Sequence, residues 1–107
     1  MSTFQEYQSI ATSVPLALRN NRSKIELPIL GLQQEAGKIG SMLQLASASG
    51  ELTLTRQQRI ELRDRLSDML WYTALVCDVS KISLQDVADY GVLQLREKRQ
   101  HLDPDRR

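Results

Sequence analysis

The stretch from Met69 to Val79, MLWYTALVCDV, holds a single charged residue, and its apolar side chains nearly encircle a helix. A helix that is apolar all round must be buried on more than one side, as a central helix or as a subunit interface. Nowhere do β-branched residues alternate with polar ones over a useful length, and Gly and Pro are sparse and fall mostly at breaks. The whole chain therefore reads as all-α. The helix that contains this run is expected from about Arg56 to Val79, with Thr55 as its cap. Leu62, Leu66, Met69, Leu70, Thr73 and Val76 should line one side of it.

Three further helices follow from caps and periodicity. The first is expected over Phe4–Ser13: Thr3 and Glu6 have capping-box spacing, and Pro15 ends or redirects the chain. Residues 15–28, PLALRNNRSKIELP, read as a connection. The second helix should run from Pro28, a residue suited to a first turn, to Ala46. Its apolar stripe is Ile29, Leu32, Ala36, Ile39, Leu43 and Ala46. Ser83 and Asp86 mark the start of a fourth helix from Leu84 to Arg99, with Val87, Tyr90, Leu93 and Leu95 facing inward. A polar tail occupies residues 100–107. The expected architecture is one small helical bundle of about four helices.

At 107 residues the chain forms a single domain with a modest core, so burial against another subunit would help it. Hydrophobic residues make up 41% and charged residues 25%, as in ordinary globular proteins. The net charge of +1 gives no general attraction to nucleic acid or membrane. One Cys, Cys77, rules out an internal disulfide and reads as a small core residue. One His, His101, placed in the polar tail, argues against a His-rich metal site and a Ser-His-Asp triad. The N-terminus lacks the pattern of a signal peptide, and no window has the roughly 18 apolar residues that span a bilayer. A cytoplasmic protein is the expectation.

The acids allow two readings. Glu61, Asp64 and Asp68 recur at helical spacing and stack three carboxylates along one face, interleaved with Arg59, Arg63 and Arg65. This is either a solvated charged stripe with local ion pairs or part of a divalent-cation site. Glu35 on the second helix has Lys38 one turn later on the same face. Trp71 and Tyr72, just beyond Asp68, read as core or interface residues. The run Arg96–Arg99 reads as a solvated helix end with cations at the favourable terminus, and Lys98 and Arg99 are further candidates for phosphate contact.

Three segments bear a likeness to one family. FQEYQ (4–8), LGLQQEAGKIG (30–40) and LSDMLWYTALVCDVSKISLQDVA (66–88) resemble, in order and spacing, the MazG-like all-α nucleoside triphosphate pyrophosphohydrolases. The second resembles the family's Gly-Leu-x-x-Glu-x-Gly-Glu helix, and the third its Leu-Gly-Asp-x-Leu-Trp-Tyr helix. The resemblance implies a helical bundle that pairs into homodimers or homotetramers. It implies Mg²⁺, or Mn²⁺, held by Glu-x-x-Glu on one helix and Glu-x-x-Asp on the next. It also implies cleavage of a (d)NTP to (d)NMP and pyrophosphate, with the cations neutralising charge and activating water.

Carried over residue by residue, the four ligand positions fall on Glu35, Lys38, Arg65 and Asp68. Two carboxylates are kept and two become cations, so the quartet is neutral. Lys and Arg offer no lone pair to Mg²⁺ at neutral pH. Glu35 and Asp68 are the expected metal ligands if the chain is an enzyme, with Glu61 and Asp64, which spell Glu-x-x-Asp one turn upstream, as assisting candidates. The alternative is a non-catalytic relative that binds a nucleotide or a protein partner. In it Lys38 and Arg65 replace the metal charge, pair with Glu35 and Asp68, and contact phosphates.

Overall fold

A computed structural model describes residues 3–14 and 21–102, with side chains from residue 24 onward in the second segment. Among these residues there are four helices and no strand: α1 (Phe4–Ser13), α2 (Asn21–Ala46), α3 (Arg56–Val79) and α4 (Leu84–Leu102). The all-α expectation and the number of helices hold. No helix is long and apolar enough to cross a membrane.

The caps act where the sequence placed them. Thr3 Oγ1 accepts from the Glu6 N–H at 3.1 Å, and Ser83 Oγ accepts from the Asp86 N–H at 3.3 Å. Thr55 forms a full capping box: its hydroxyl accepts from the Gln58 N–H at 3.1 Å, and the Gln58 side chain accepts from the Thr55 N–H at 2.8 Å. Each satisfies an N–H that a helix start leaves without an intrahelical partner.

Two helices are longer than expected. α2 begins at Asn21, so residues 21–27 are helical rather than connecting, and Pro28 lies inside the helix. Pro removes one donor from the ladder, but its ring is almost wholly buried, and that burial offsets the lost bond. The expected role of Pro15 lies outside the described residues. α4 runs to Leu102, past the expected end at Arg99, with Arg99 and His101 in its last turn. The Arg99 charge there interacts favourably with the helix dipole.

α3 is central. It packs on α2 along one side and on α1 along another, and α4 packs on α1. That is why the 69–79 run is apolar almost all round. Ala11 of α1, Ala74 and Cys77 of α3, and Leu84 at the start of α4 form the buried cluster, with Tyr7 and Trp71 packed against it. Trp71 Nε1 donates to the Ala11 carbonyl at 3.1 Å, so the indole both fills the core and anchors α1. Its ring stacks on Tyr72, with centroids 5.5 Å apart. Tyr72 in turn lies over Gly31, where a Cβ would come within 2.7 Å of three ring atoms. The α2–α3 crossing needs a residue without a side chain at that point.

Polar side chains join α1 to α4. The Gln8 amide donates to the Ile82 carbonyl at 3.1 Å and accepts from the Leu84 N–H at 2.8 Å. Gln85 Oε1 accepts from the Phe4 and Gln5 N–H groups at 3.1 and 3.3 Å. Each helix start is thus satisfied by a glutamine of the other helix.

Three expected apolar faces are corrected. On α3, Leu66 is exposed, whereas Leu62, Met69, Leu70, Thr73 and Val76 are half-buried. On α2, Ile29 and Ala36 are exposed, whereas Pro28, Gly31 and Ile39 are buried and Leu32, Leu43 and Ala46 are half-buried. The packed line passes through Glu35, a charged residue that an apolar-only pattern skips. On α4, Val87, Tyr90, Leu93 and Leu95 do not face inward: all four are exposed, Tyr90 by 64% and Leu95 by 65%. Ala88 and Gly91 are half-buried instead, with Gln85 and Gln94, because beyond Leu84 the packing of α4 is mainly against α1.

Candidate functional site

Glu35 and Arg65 meet at the α2–α3 crossing. Each lies on the face its helix turns toward the other, so both are taken largely out of water. The Glu35 side chain is 12% exposed, and Arg65 Nη1 lies 3.6 Å from Glu35 Oε2. That oxygen is fully covered and accepts no hydrogen bond. A buried carboxylate oxygen without a hydrogen bond is costly unless a charge neutralises it, and Arg65 supplies that charge. The same guanidinium donates from Nε and Nη2 to Glu61 Oε1 at 3.2 and 3.1 Å, one turn earlier on α3. The Glu61 carboxylate, which accepts these bonds, is the main cause holding Arg65 above its ordinary pKa, against the opposing effect of partial burial. Arg65 stays charged at every pH the protein meets.

The other two members of the quartet form no ion pair with these two. Lys38 is exposed and forms no ion pair among the described residues, so the expected Glu35–Lys38 and Lys38–carboxylate pairs are not formed. The expected Arg65–Asp68 pair is not formed either. Asp68 is exposed toward α1: it lines a groove of about 300 Å³ with Tyr7, Ile10, Val14 and Trp71. Burial raises the Tyr7 pKa above its ordinary value, and the Asp68 carboxylate raises it further. Residues three apart share one broad face of a helix, and Asp68 stands at the edge of that face: it lines a groove with Arg65 and Glu61 as well as the one with Tyr7.

Two grooves flank the Arg65 crossing. One, of about 570 Å³, is lined by Gln33, Gln34, Gly37, Lys38, Ser41, Glu61 and Arg65. The other, of about 340 Å³, is lined by Gln57, Ile60, Glu61, Asp64, Arg65 and Asp68. Lys98 and Arg99 sit exposed near the end of α4 and line neither groove.

A divalent cation does not fit this donor set. Among the described residues no three His, Cys, Asp or Glu side chains are placed to hold a metal ion. Glu35 Oε2 is faced by a guanidinium, a group with no lone pair that cannot lose its proton in a protein.

Comparison of the chain with protein-family models, with characterised proteins and with solved structures finds no match. The site must therefore be read from its own chemistry. The sequence pattern picked out Glu35, Lys38, Glu61, Asp64, Arg65 and Asp68. It did not pick out Gln33, Gln34 and Ser41, which line the larger groove. Their one signal was a polar run on α2, beside Glu35, of residues able to donate hydrogen bonds.

Proposed function

We propose that this chain is a self-associating, non-hydrolytic relative of the MazG-like pyrophosphohydrolases that binds a nucleoside triphosphate without a divalent metal. The observation that carries this reading is the larger groove between α2 and α3. Lys38 stands there with no ion pair, beside Arg65 and the donors of Gln33, Gln34 and Ser41. A cation free of intramolecular partners can form charge-assisted hydrogen bonds to phosphate oxygens. The groove volume lies within the range of about 300–1,000 Å³ typical of small-molecule sites. Lys98 and Arg99 join such a site only if a second copy brings its α4 to the groove.

Self-association is supported by surface area. The chain exposes 8643 Å², against about 6,100 Å² for a folded monomer of its mass. Its radius of gyration is 17.2 Å, against about 13 Å for a compact domain of this length. The excess is more than the roughly 800 Å² per partner that a standard interface buries. Val87, Tyr90, Leu93 and Leu95 of α4 supply the apolar surface that a homodimer or homotetramer covers.

A second reading, Mg²⁺- or Mn²⁺-dependent hydrolysis of a (d)NTP, draws on one observation: Glu61, Asp64 and Asp68 line a common groove. Calorimetric titration of a non-hydrolysable NTP analogue, with and without Mg²⁺, decides between them, together with an assay for pyrophosphate. The first reading expects binding that is unchanged by chelator, is lost in Lys38→Ala, and is accompanied by no pyrophosphate release. Release of pyrophosphate that requires Mg²⁺ and disappears in Asp68→Ala would sink it in favour of the second.

A further inference from the structure

We propose that Arg65 is the protein's own counter-cation at the α2–α3 crossing. Its guanidinium occupies the position from which Glu35 and Glu61, on two different helices, would otherwise hold a divalent ion. This inference concerns the charge balance of the crossing and stands whether or not a nucleotide binds.

The geometry points to a filled cation position rather than an ordinary surface ion pair. Surface pairs join two exposed side chains and contribute little. Here Glu35 is 12% exposed, and the oxygen facing Arg65 has no other polar partner. The guanidinium is shared: Nη1 faces Glu35 across the crossing, and Nε and Nη2 bond Glu61 on its own helix. One cation thus neutralises two carboxylates from opposite sides. Two carboxylates converging on one cation, with water completing the shell, is also how proteins hold hard divalent ions. The groove beside Glu61 and Arg65 admits that water. Two things keep a metal out of the native protein. The guanidinium takes up the space and the lone pairs of Glu61 that face it, and its permanent charge repels a second cation. A tethered cation has a further consequence: it is never lost to chelators or dilution, so the crossing is insensitive to metal supply.

The test removes the charge and keeps the bulk. Wild type, Arg65→Gln and Arg65→Lys are titrated with Mn²⁺ alone, and free Mn²⁺ is followed by electron paramagnetic resonance. Wild type and Arg65→Lys should show no saturable binding in the millimolar range. Arg65→Gln should gain a site at least about a hundredfold tighter, the minimum expected when a unit charge within ~4 Å of the ion is removed from a partly buried position. The double variant Arg65→Gln, Glu35→Gln should lose that site. Equal binding by wild type and Arg65→Gln overturns the proposal, as does binding by Arg65→Lys equal to that of Arg65→Gln. Absence of binding in a folded Arg65→Gln protein overturns it too. If Arg65→Gln fails to fold without metal, thermal melting in added Mn²⁺ takes over: a restored cooperative transition supports the proposal, and no restoration overturns it.

Discussion

Lys81 shows how much a single residue contributes to the route of the chain. It follows α3 with φ at 60°, in the left-handed region. Its N–H donates to the Asp78 carbonyl, and the Ile82 N–H donates to the Cys77 carbonyl at 2.8 Å. This is the Schellman pattern, which usually has Gly at the left-handed position. A lysine there is strained. Lys81→Gly is therefore expected to raise stability by roughly 0.5–1 kcal/mol, the relieved strain less the added unfolded-state entropy of Gly. A melting temperature below that of wild type would show that the strain does not exist. A buried group and a half-buried one set the response to alkali. Burial raises the Cys77 thiol, and burial together with Asp68 raises the Tyr7 phenol. Both hold their protons more tightly folded than unfolded. Their stabilisation is thus complete below the ordinary thiol pKa of about 8.5 and is lost as pH rises through the raised folded values. Asp68→Asn should lower the Tyr7 pKa while leaving it above the ordinary range, because burial remains the larger cause. Ultraviolet titration of the phenolate, with Tyr7→Phe as the baseline, reads this directly, and an unmoved curve would contradict the placement of Asp68 toward α1.

At the scale of elements, the helices are joined by a few specific contacts rather than by a broad core. Gly31 lets α2 approach the Tyr72 ring. Gly31→Ala forces that ring, stacked on Trp71, to move, and overpacking of this kind costs about 1–3 kcal/mol. Chemical denaturation should show the loss, and the Trp71 emission should shift with it. The α1–α4 joint depends on Gln8. In Gln8→Ala the Leu84 N–H and the Ile82 carbonyl lose their partner, at a cost of about 1–3 kcal/mol for a partly buried group left unsatisfied. Hydrogen exchange should speed up first at the start of α4, where these two bonds are made. Protection unchanged in α4 would mean that another contact holds it. The boundaries of these elements were legible where chemistry is local. Thr3, Thr55 and Ser83 each cap the helix that the sequence assigned to them. The start of α2 was not legible, because Pro28 is as well suited to a first turn as to an interior position with a buried ring. Only packing against other helices selects between the two.

For the whole molecule, the open shape and the apolar outer face of α4 lead to one expectation: the chain sediments as a homodimer or larger assembly at micromolar concentration. Replacing Tyr90 and Leu93 together with Asp should shift it toward monomer and lower its melting temperature with decreasing protein concentration, as mass action requires when folding and association are linked. A wild-type monomer in sedimentation would refute this, and so would a double variant that assembles normally.

The sequence by itself determined the helical class, three of the four helix starts and the apolar character of α3, because caps and periodicity act within one or two turns. It also determined that Glu35, Lys38, Arg65 and Asp68 cannot act as four carboxylates. Tertiary structure decided which of them meet. Arg65 joins Glu35 and Glu61, Lys38 stands free of ion pairs at a groove, and Asp68 turns to Tyr7. Side chains three residues apart share a broad face of one helix, and which partner each one meets depends on where the neighbouring helices lie, a placement that a one-dimensional pattern does not contain.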